Sequence, residues 1–313
     1  MSVLRAPLLR PALILALVAV AAASTAAADS ITTTRAWLPV AHVVGSTATS
    51  RTDVEIFNPD PDRAAEVTLF FTPAGVDGTN LPGLRITPDL RPRESLTLTD
   101  IVVNTLGYPE GFGVLEVRSG ESTPILVTSV TYNEVRWADA TPLHAMSPSD
   151  HEVHSGEPAA KLVTSVPFSL GRRFGIYSQF SPAQPYRKAV GFDDSVFGDL
   201  YIIGLRSDPI YRTDLALINP TGVELEAGVQ LVAAGGGDPY VSRAYTVPPY
   251  SVRQVNDLFE KEFVASGAPR GGPYRLNVFV NLSNGARILG YASVVDRRTG
   301  DSYLIPGEPT IHP

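Results

Sequence analysis

Three of the five histidines of this chain stand close together, His144, His151 and His154, beside Asp150 and Glu152. Imidazole and carboxylate are ligands of zinc and other divalent cations, so side chains grouped in one stretch could converge on an ion. The spacing is His-Glu-Val-His rather than the helical His-Glu-x-x-His that sets two imidazoles on one face, and it lies among Ser, Pro and Gly, which suits a solvated loop. Calcium is the second candidate: Asp60 and Asp62 follow one Asn-Pro, and Asp193, Asp194 and Asp199 cluster later. Calcium takes such oxygens and stiffens many extracellular β modules, but no spacing here matches a dedicated calcium-binding loop.

Aromatic residues concentrate between Phe168 and Tyr201, and with Trp137 they could stack on sugar rings; Trp137, Tyr177 and Tyr186 are the candidate contacts. The same residues suit the filling of a junction between two domains. Other chemistry lacks support. There is no Gly-x-Ser-x-Gly elbow and no histidine between His154 and His312, so no serine nucleophile is indicated. The 32 acidic residues contain no pair that the sequence selects for glycoside hydrolysis. Nucleotide-binding glycine loops are missing. With no cysteine in the chain, disulfides, thiolate metal sites, a cysteine nucleophile and a lipid-attachment cysteine are all excluded. No catalytic set and no cofactor signature remain.

The elements that would position any site are organised by a stretch that occurs twice, Arg51 to Pro59 (RTDVEIFNP) and Arg212 to Pro220 (RTDLALINP). Thr52, Val54, Ile56 and Asn58 alternate with Asp53, Glu55 and Phe57, and Thr213, Leu215, Leu217 and Asn219 alternate with Asp214, Ala216 and Ile218. This period of two predicts a strand in each copy, ended by Asn-Pro because Asn starts a turn and Pro has no ladder donor. Arg51 and Asp53, like Arg212 and Asp214, share one face of the strand and are expected to form an ion pair or anchor a turn.

The N-terminus reads as a secretory signal peptide: Arg5 and Arg10, an apolar run from Ala12 to Ala23, then Ala26-Ala27-Ala28, with cleavage expected after Ala28. Its removal leaves 23 basic against 32 acidic residues, a formal charge of −9. An acidic surface without a basic block argues against nucleic acid and anionic membranes as partners, and no later run is long and apolar enough for a spanning helix. A secreted or periplasmic protein is expected. The prolines and glycines fall between short apolar runs, as in a protein of many strands and turns.

Similarity extends beyond the repeated strand. Leu90 to Asp100 aligns with Val247 to Asp257, and Ile125 to Asn133 with Ile288 to Asp296. In the second copy Ser302 to Ile305 returns as a strand after a turn; in the first the matching return is Ile176 to Ser181, which leaves an insertion of roughly Glu134 to Phe174. Ile101, Val102 and Leu106 before Gly107 predict one or two helical turns with a Thr99 or Asp100 cap.

With the RTDLALINP strand, the ILGYASVVDRRTGDSYLIP ending and the signal peptide in view, the chain resembles an uncharacterised tandem-repeat family of secreted bacterial immunoglobulin-like β-sandwich proteins. The resemblance covers most of the mature chain except the insertion. It implies no established activity, so no functional residue carries over. The expected architecture is all-β, two tandem immunoglobulin-like β-sandwich domains at 29–185 and 186–313, after a signal peptide at 1–28 and with the insertion at about 134–174. The leading functional expectation is a non-enzymatic module for surface adhesion, scaffolding or binding of an extracellular glycan or protein. The alternative is a secreted hydrolase or metal-dependent enzyme whose site is built by the insertion. A third reading is a subunit whose sheet edges pair with neighbours in a fibre.

Overall fold

Residue types along Ala48–Phe57 explain why that stretch is a strand. Thr52, Val54 and Ile56 are fully buried on one face, Asp53 and Phe57 are half-buried and Glu55 is exposed on the other. β-branched residues at every second position suit a pleated, half-buried surface. The computed structural model describes residues 32–44, 48–135, 176–192, 197–233, 235–269, 274–297 and 302–311.

In the first half the strands are β1 (Arg35–Val44), β2 (Ala48–Phe57), β3 (Val67–Pro73), β4 (Leu84–Arg85), β5 (Ser95–Leu98), β6 (Gly111–Ser119), β7 (Leu126–Val135), β8 (Ile176–Pro182) and β9 (Gln184–Pro185). One layer runs β4-β3-β6-β1-β9 and the other β5-β2-β7-β8; pairing of His42–Val44 with Thr49–Arg51 joins them into one sheet folded over on itself. The second half holds β10 (Val190–Gly191), β11 (Phe197–Leu205), β12 (Tyr211–Ile218), β13 (Leu225–Ala233), β14 (Val241–Val247), β15 (Val252–Val255), β16 (Tyr274–Val280), β17 (Arg287–Asp296), β18 (Ser302–Pro306) and β19 (Glu308–Ile311). Its layers run β14-β13-β16-β11-β19 and β15-β12-β17-β18, with β10 also on β17. All the pairings are antiparallel, and strand for strand the two halves share one order. Each half has its own apolar core between its layers. Leu38, Ile56, Leu69 and Leu115 belong to the first, and Ile202, Leu217, Leu231 and Leu276 to the second. The chain is all-β, with several antiparallel sheets. Among the described residues no helix is long and apolar enough to cross a membrane.

The two Asn-Pro turns are built alike. Asn58 is fully buried and its Nδ2 points at the carbonyls of Arg63, Leu90 and Arg91 (2.8, 3.2 and 3.1 Å). Asn219 does the same to Val223, Val247 and Pro248 (2.7, 3.1 and 3.0 Å). Each Asn Oδ1 accepts from a backbone N–H two residues on, Asp60 or Thr221. A single amide side chain thus ties the carbonyls of two loops together next to a core.

Several details differ from the sequence reading. Asp100 does precede a helical turn, α1 (Ile101–Asn104), but its side chain makes no capping bond; with φ 43° it is left-handed, and its carboxylate faces His42 instead. In the first half Arg51 reaches Asp100, at 3.8 Å, while Asp53 accepts the Asp100 N–H at 2.7 Å. In the second half Arg212 pairs with Asp214 itself, at 3.3 Å, and Asp214 accepts the Asp257 N–H at 2.7 Å. The aspartate is therefore a turn anchor in both halves, and the ion-pair partner changes. β4 spans Leu84–Arg85 alone, ahead of a cis Thr87–Pro88 bond. β7 continues to Val135, two residues into the stretch read as insertion.

Candidate functional site

The halves meet sheet against sheet. Trp37 and Val114, on the outer surface of β1 and β6, pack on Ile218, Val252, Leu289 and Tyr291, on the outer surface of β12, β15 and β17. The Tyr291 hydroxyl crosses the junction to donate to the Trp37 carbonyl at 3.0 Å, with the Pro182 carbonyl at 3.2 Å, and burial pushes its phenol up from the ordinary value. The Gln184 side-chain amide donates to the Gly290 carbonyl at 2.7 Å. Backbone bonds from Gly75 to Val252 and from Gly78 to Pro249 close one side. The Tyr186 ring lies 5.5 Å from that of Trp37, with the Arg35 guanidinium 4.8 Å from the Trp37 ring centre. Of the candidate aromatic contacts, Tyr186 therefore belongs to the junction. Tyr177 has its backbone in β8, opposite Asn133.

Beyond this contact the two surfaces part and leave a cleft of about 730 Å³. From the first half Pro39, Ala41 and Val43 of β1, Ser50 of β2, Phe112 of β6 and Thr131 of β7 line it. From the second half come Arg212, Asp214 and Ala216 of β12, Gln254 and Asn256 at the end of β15, Asp257 and Lys261 beyond it, and Ser293 of β17. The second copy of the repeated Arg-Thr-Asp thus lies on the cleft wall. Its carboxylates are already engaged: Asp214 by the Asp257 N–H and Arg212 Nε, Asp257 by Arg297 Nη2 at 2.8 and 3.0 Å. Both carboxylates are thus tied into the structure around the cleft. Lys261 is exposed and has no ion-pair partner among the described residues.

A second constellation was missed from the sequence. His42 Nδ1 lies 2.8 and 3.0 Å from the two oxygens of Asp100, both residues are more than nine-tenths buried, and Arg51, Asp53 and Tyr132 surround them. A His-Asp pair is half of a nucleophile-activating set, but no hydroxyl is hydrogen-bonded to His42 among the described residues. Ser50 donates to Asn133, and Thr52 serves the Ala41 N–H at 2.9 Å. The signal in the sequence was a histidine in β1 at a position facing inward, in phase with Leu38 and Val40.

Of the other candidates, Trp137, His144, His151 and His154 lie outside the described residues, as do Asp193 and Asp194. Asp60 is spent on its own turn: it accepts from the N–H groups of Asp62 and Arg63 and from Arg63 Nε, and these bonds hold its carboxyl below the ordinary range. Among the described residues no three His, Asp or Glu side chains are grouped to hold a metal ion. Comparisons with protein-family models, with curated proteins and with solved structures found no match to this chain.

Proposed function

We propose that this protein is a secreted or periplasmic, non-enzymatic binding module, in which two immunoglobulin-like β-sandwich domains, 29–185 and 186–313, derive from one duplicated unit and hold a ligand where they meet. The observation that carries the reading is the cleft of about 730 Å³ at a junction tied by the Tyr291, Gln184 and Gly75 bonds. That volume lies in the range of small-ligand sites, which occur preferentially between domains. Support from the chemistry is that the cleft carboxylates are occupied by arginines and backbone donors, so the polar surface left over suits contact rather than proton transfer.

The test is a thermal-shift series on Asp29 to Pro313 with a panel of glycans, calcium, zinc and chelator, repeated on Val43→Trp, which places a large ring at the exposed rim of the cleft. A ligand that binds only the native state raises the melting temperature by mass action. The proposal expects a glycan that stabilises the wild type and not Val43→Trp. Stabilisation indifferent to Val43→Trp, but lost when residues 136–174 are replaced by a short turn, would move the site to the insertion and favour the metal-dependent or hydrolytic alternative.

A further inference from the structure

The cleft wall carries two cations, Arg212 and Lys261, and two carboxylates, Asp214 and Asp257. Arg212 pairs with Asp214, and Asp257 is held by Arg297 from outside the lining, which leaves Lys261 as the wall's cation without an ion-pair partner among the described residues, in a chain whose formal charge is −7 and which has only two other lysines. Arg212 is engaged through Nε, its side chain is 40 % exposed, and its two terminal nitrogens make no hydrogen bond among the described residues. Beside them Gln254 Nε2 donates to Asn256 Oδ1 at 2.6 Å, so that Gln254 keeps a carbonyl oxygen and Asn256 an amide nitrogen without a partner among the described residues. Across the cleft Pro39 and Phe112 supply apolar surface, and Leu304 of β18 adds to it from the second half's own sheet. Cationic donors, a free amide donor and acceptor, and an apolar wall together match a ligand with a carboxylate, several hydroxyls and flat C–H faces.

We infer that the cleft binds a carboxylated saccharide of two or three residues, with the carboxylate anchored by Lys261 and the terminal nitrogens of Arg212. This rests on the binding-module reading and names its ligand class. The negative charge of the rest of the surface sharpens the inference, because an anion is drawn to the molecule only where a cation stands uncompensated in a recess.

The experiment is titration calorimetry of Asp29 to Pro313 with trigalacturonic acid, with a neutral trigalactose, with sodium sulfate and with a short poly-aspartate peptide, at low and high salt. Lys261→Ala and Lys261→Arg are compared with Lys188→Ala, a lysine paired with Glu308 away from the cleft. The acidic trisaccharide is expected to bind at least about 10-fold tighter than the neutral one, to weaken with salt, to lose about 10-fold in Lys261→Ala and to regain most of it in Lys261→Arg. Lys188→Ala should bind as the wild type. Equal binding of neutral and acidic sugars that Val43→Trp blocks would overturn the anionic anchor and leave the binding module standing. Sulfate binding as tight as the trisaccharide, or binding of the peptide alone, would overturn the saccharide. If none of the four binds and Val43→Trp changes no thermal shift, both readings fall together.

Discussion

The outer surface of β2 and β7 in the first half and that of β12 and β17 in the second occupy the same place in the strand order, yet one faces solvent and the other is covered. Phe57 pairs with Leu126 and Ser95, and Glu55 with Thr128; Ile218 pairs with Leu289 and Val252, and Ala216 with Tyr291. Glu55 and Ser95 are exposed, Phe57, Leu126 and Thr128 are half-buried, whereas Ile218, Val252, Leu289 and Tyr291 are at most 1 % exposed. The inner faces of both strand pairs are buried alike. What turns one copy into a junction is therefore the outward residues: a sheet covered on both sides loses its alternation and reads as a continuous apolar run. Leu215-Ala216-Leu217-Ile218 has that character and Val54-Glu55-Ile56-Phe57 does not.

Several measurements can break or sharpen this contrast. The largest effect is expected from Tyr291→Ala, which opens a cavity at the junction and should cost about 3–5 kcal/mol in denaturant unfolding. Thr128→Ala, at the same place in the first half, should stay within about 0.5 kcal/mol. Comparable costs for the two would mean that the first face is covered too. Next, Asp100→Asn breaks a buried pair with His42 and should cost about 3 kcal/mol. Asp257→Asn, whose partner Arg297 is solvent-accessible, should cost less than about 1 kcal/mol; equality would erase the distinction between a buried and a surface-bound anchor. Asn58→Ala and Asn219→Ala should each cost about 1–3 kcal/mol, because each removes a buried amide that bonds the carbonyls of two loops. Here the halves should agree, and a difference above about 1 kcal/mol would show that the two turns are not energetic equivalents.

The last effect appears only in alkali. Burial pushes the Tyr245 phenol up to about 12, so the unfolded chain, titrating near 10, loses this proton first. The stability linked to it is complete below about pH 10 and falls by about 1.4 kcal/mol per pH unit between about 10 and 12. Tyr245 lies in the seven-residue β14, whose counterpart β4 has two residues, so this loss belongs to the second half. Its hydroxyl is buried without a partner among the described residues, and Tyr245→Phe should match the wild type at pH 8 and lose less at pH 11, read by urea unfolding.

The sequence carried the strands well and the site poorly, for physical reasons. Period-two runs closed by Asn-Pro are local signals, and the similarity of Leu90 to Asp100 and Val247 to Asp257 falls on the segments whose carbonyls Asn58 and Asn219 bind. The return strands expected at Ile176 to Ser181 and Ser302 to Ile305 pair with β7 and β17. The position of the cleft is different in kind. It depends on Val43 and Lys261 lining one recess between the two halves, and neither residue belongs to a periodic or spaced motif. His42 and Asp100 escaped notice because Asp100 stands where a helix cap is expected, and only the left-handed backbone at that residue turns its carboxylate away from α1.

The passage from one half to the other is short: β9 ends at Pro185, a single turn spans Tyr186–Lys188, and β10 begins at Val190. The Arg287 guanidinium donates to the Ala189 carbonyl at 2.7 Å and Val190–Gly191 pairs with β17, so the connection is tied to the second half's sheet. Such a joint has no slack with which to open and shut. Under the proposed binding role, capture should therefore be a one-step encounter, with an observed rate that rises linearly with concentration and shows no plateau from a slower closing step. Selectivity among ligands would then reside in how long each one stays.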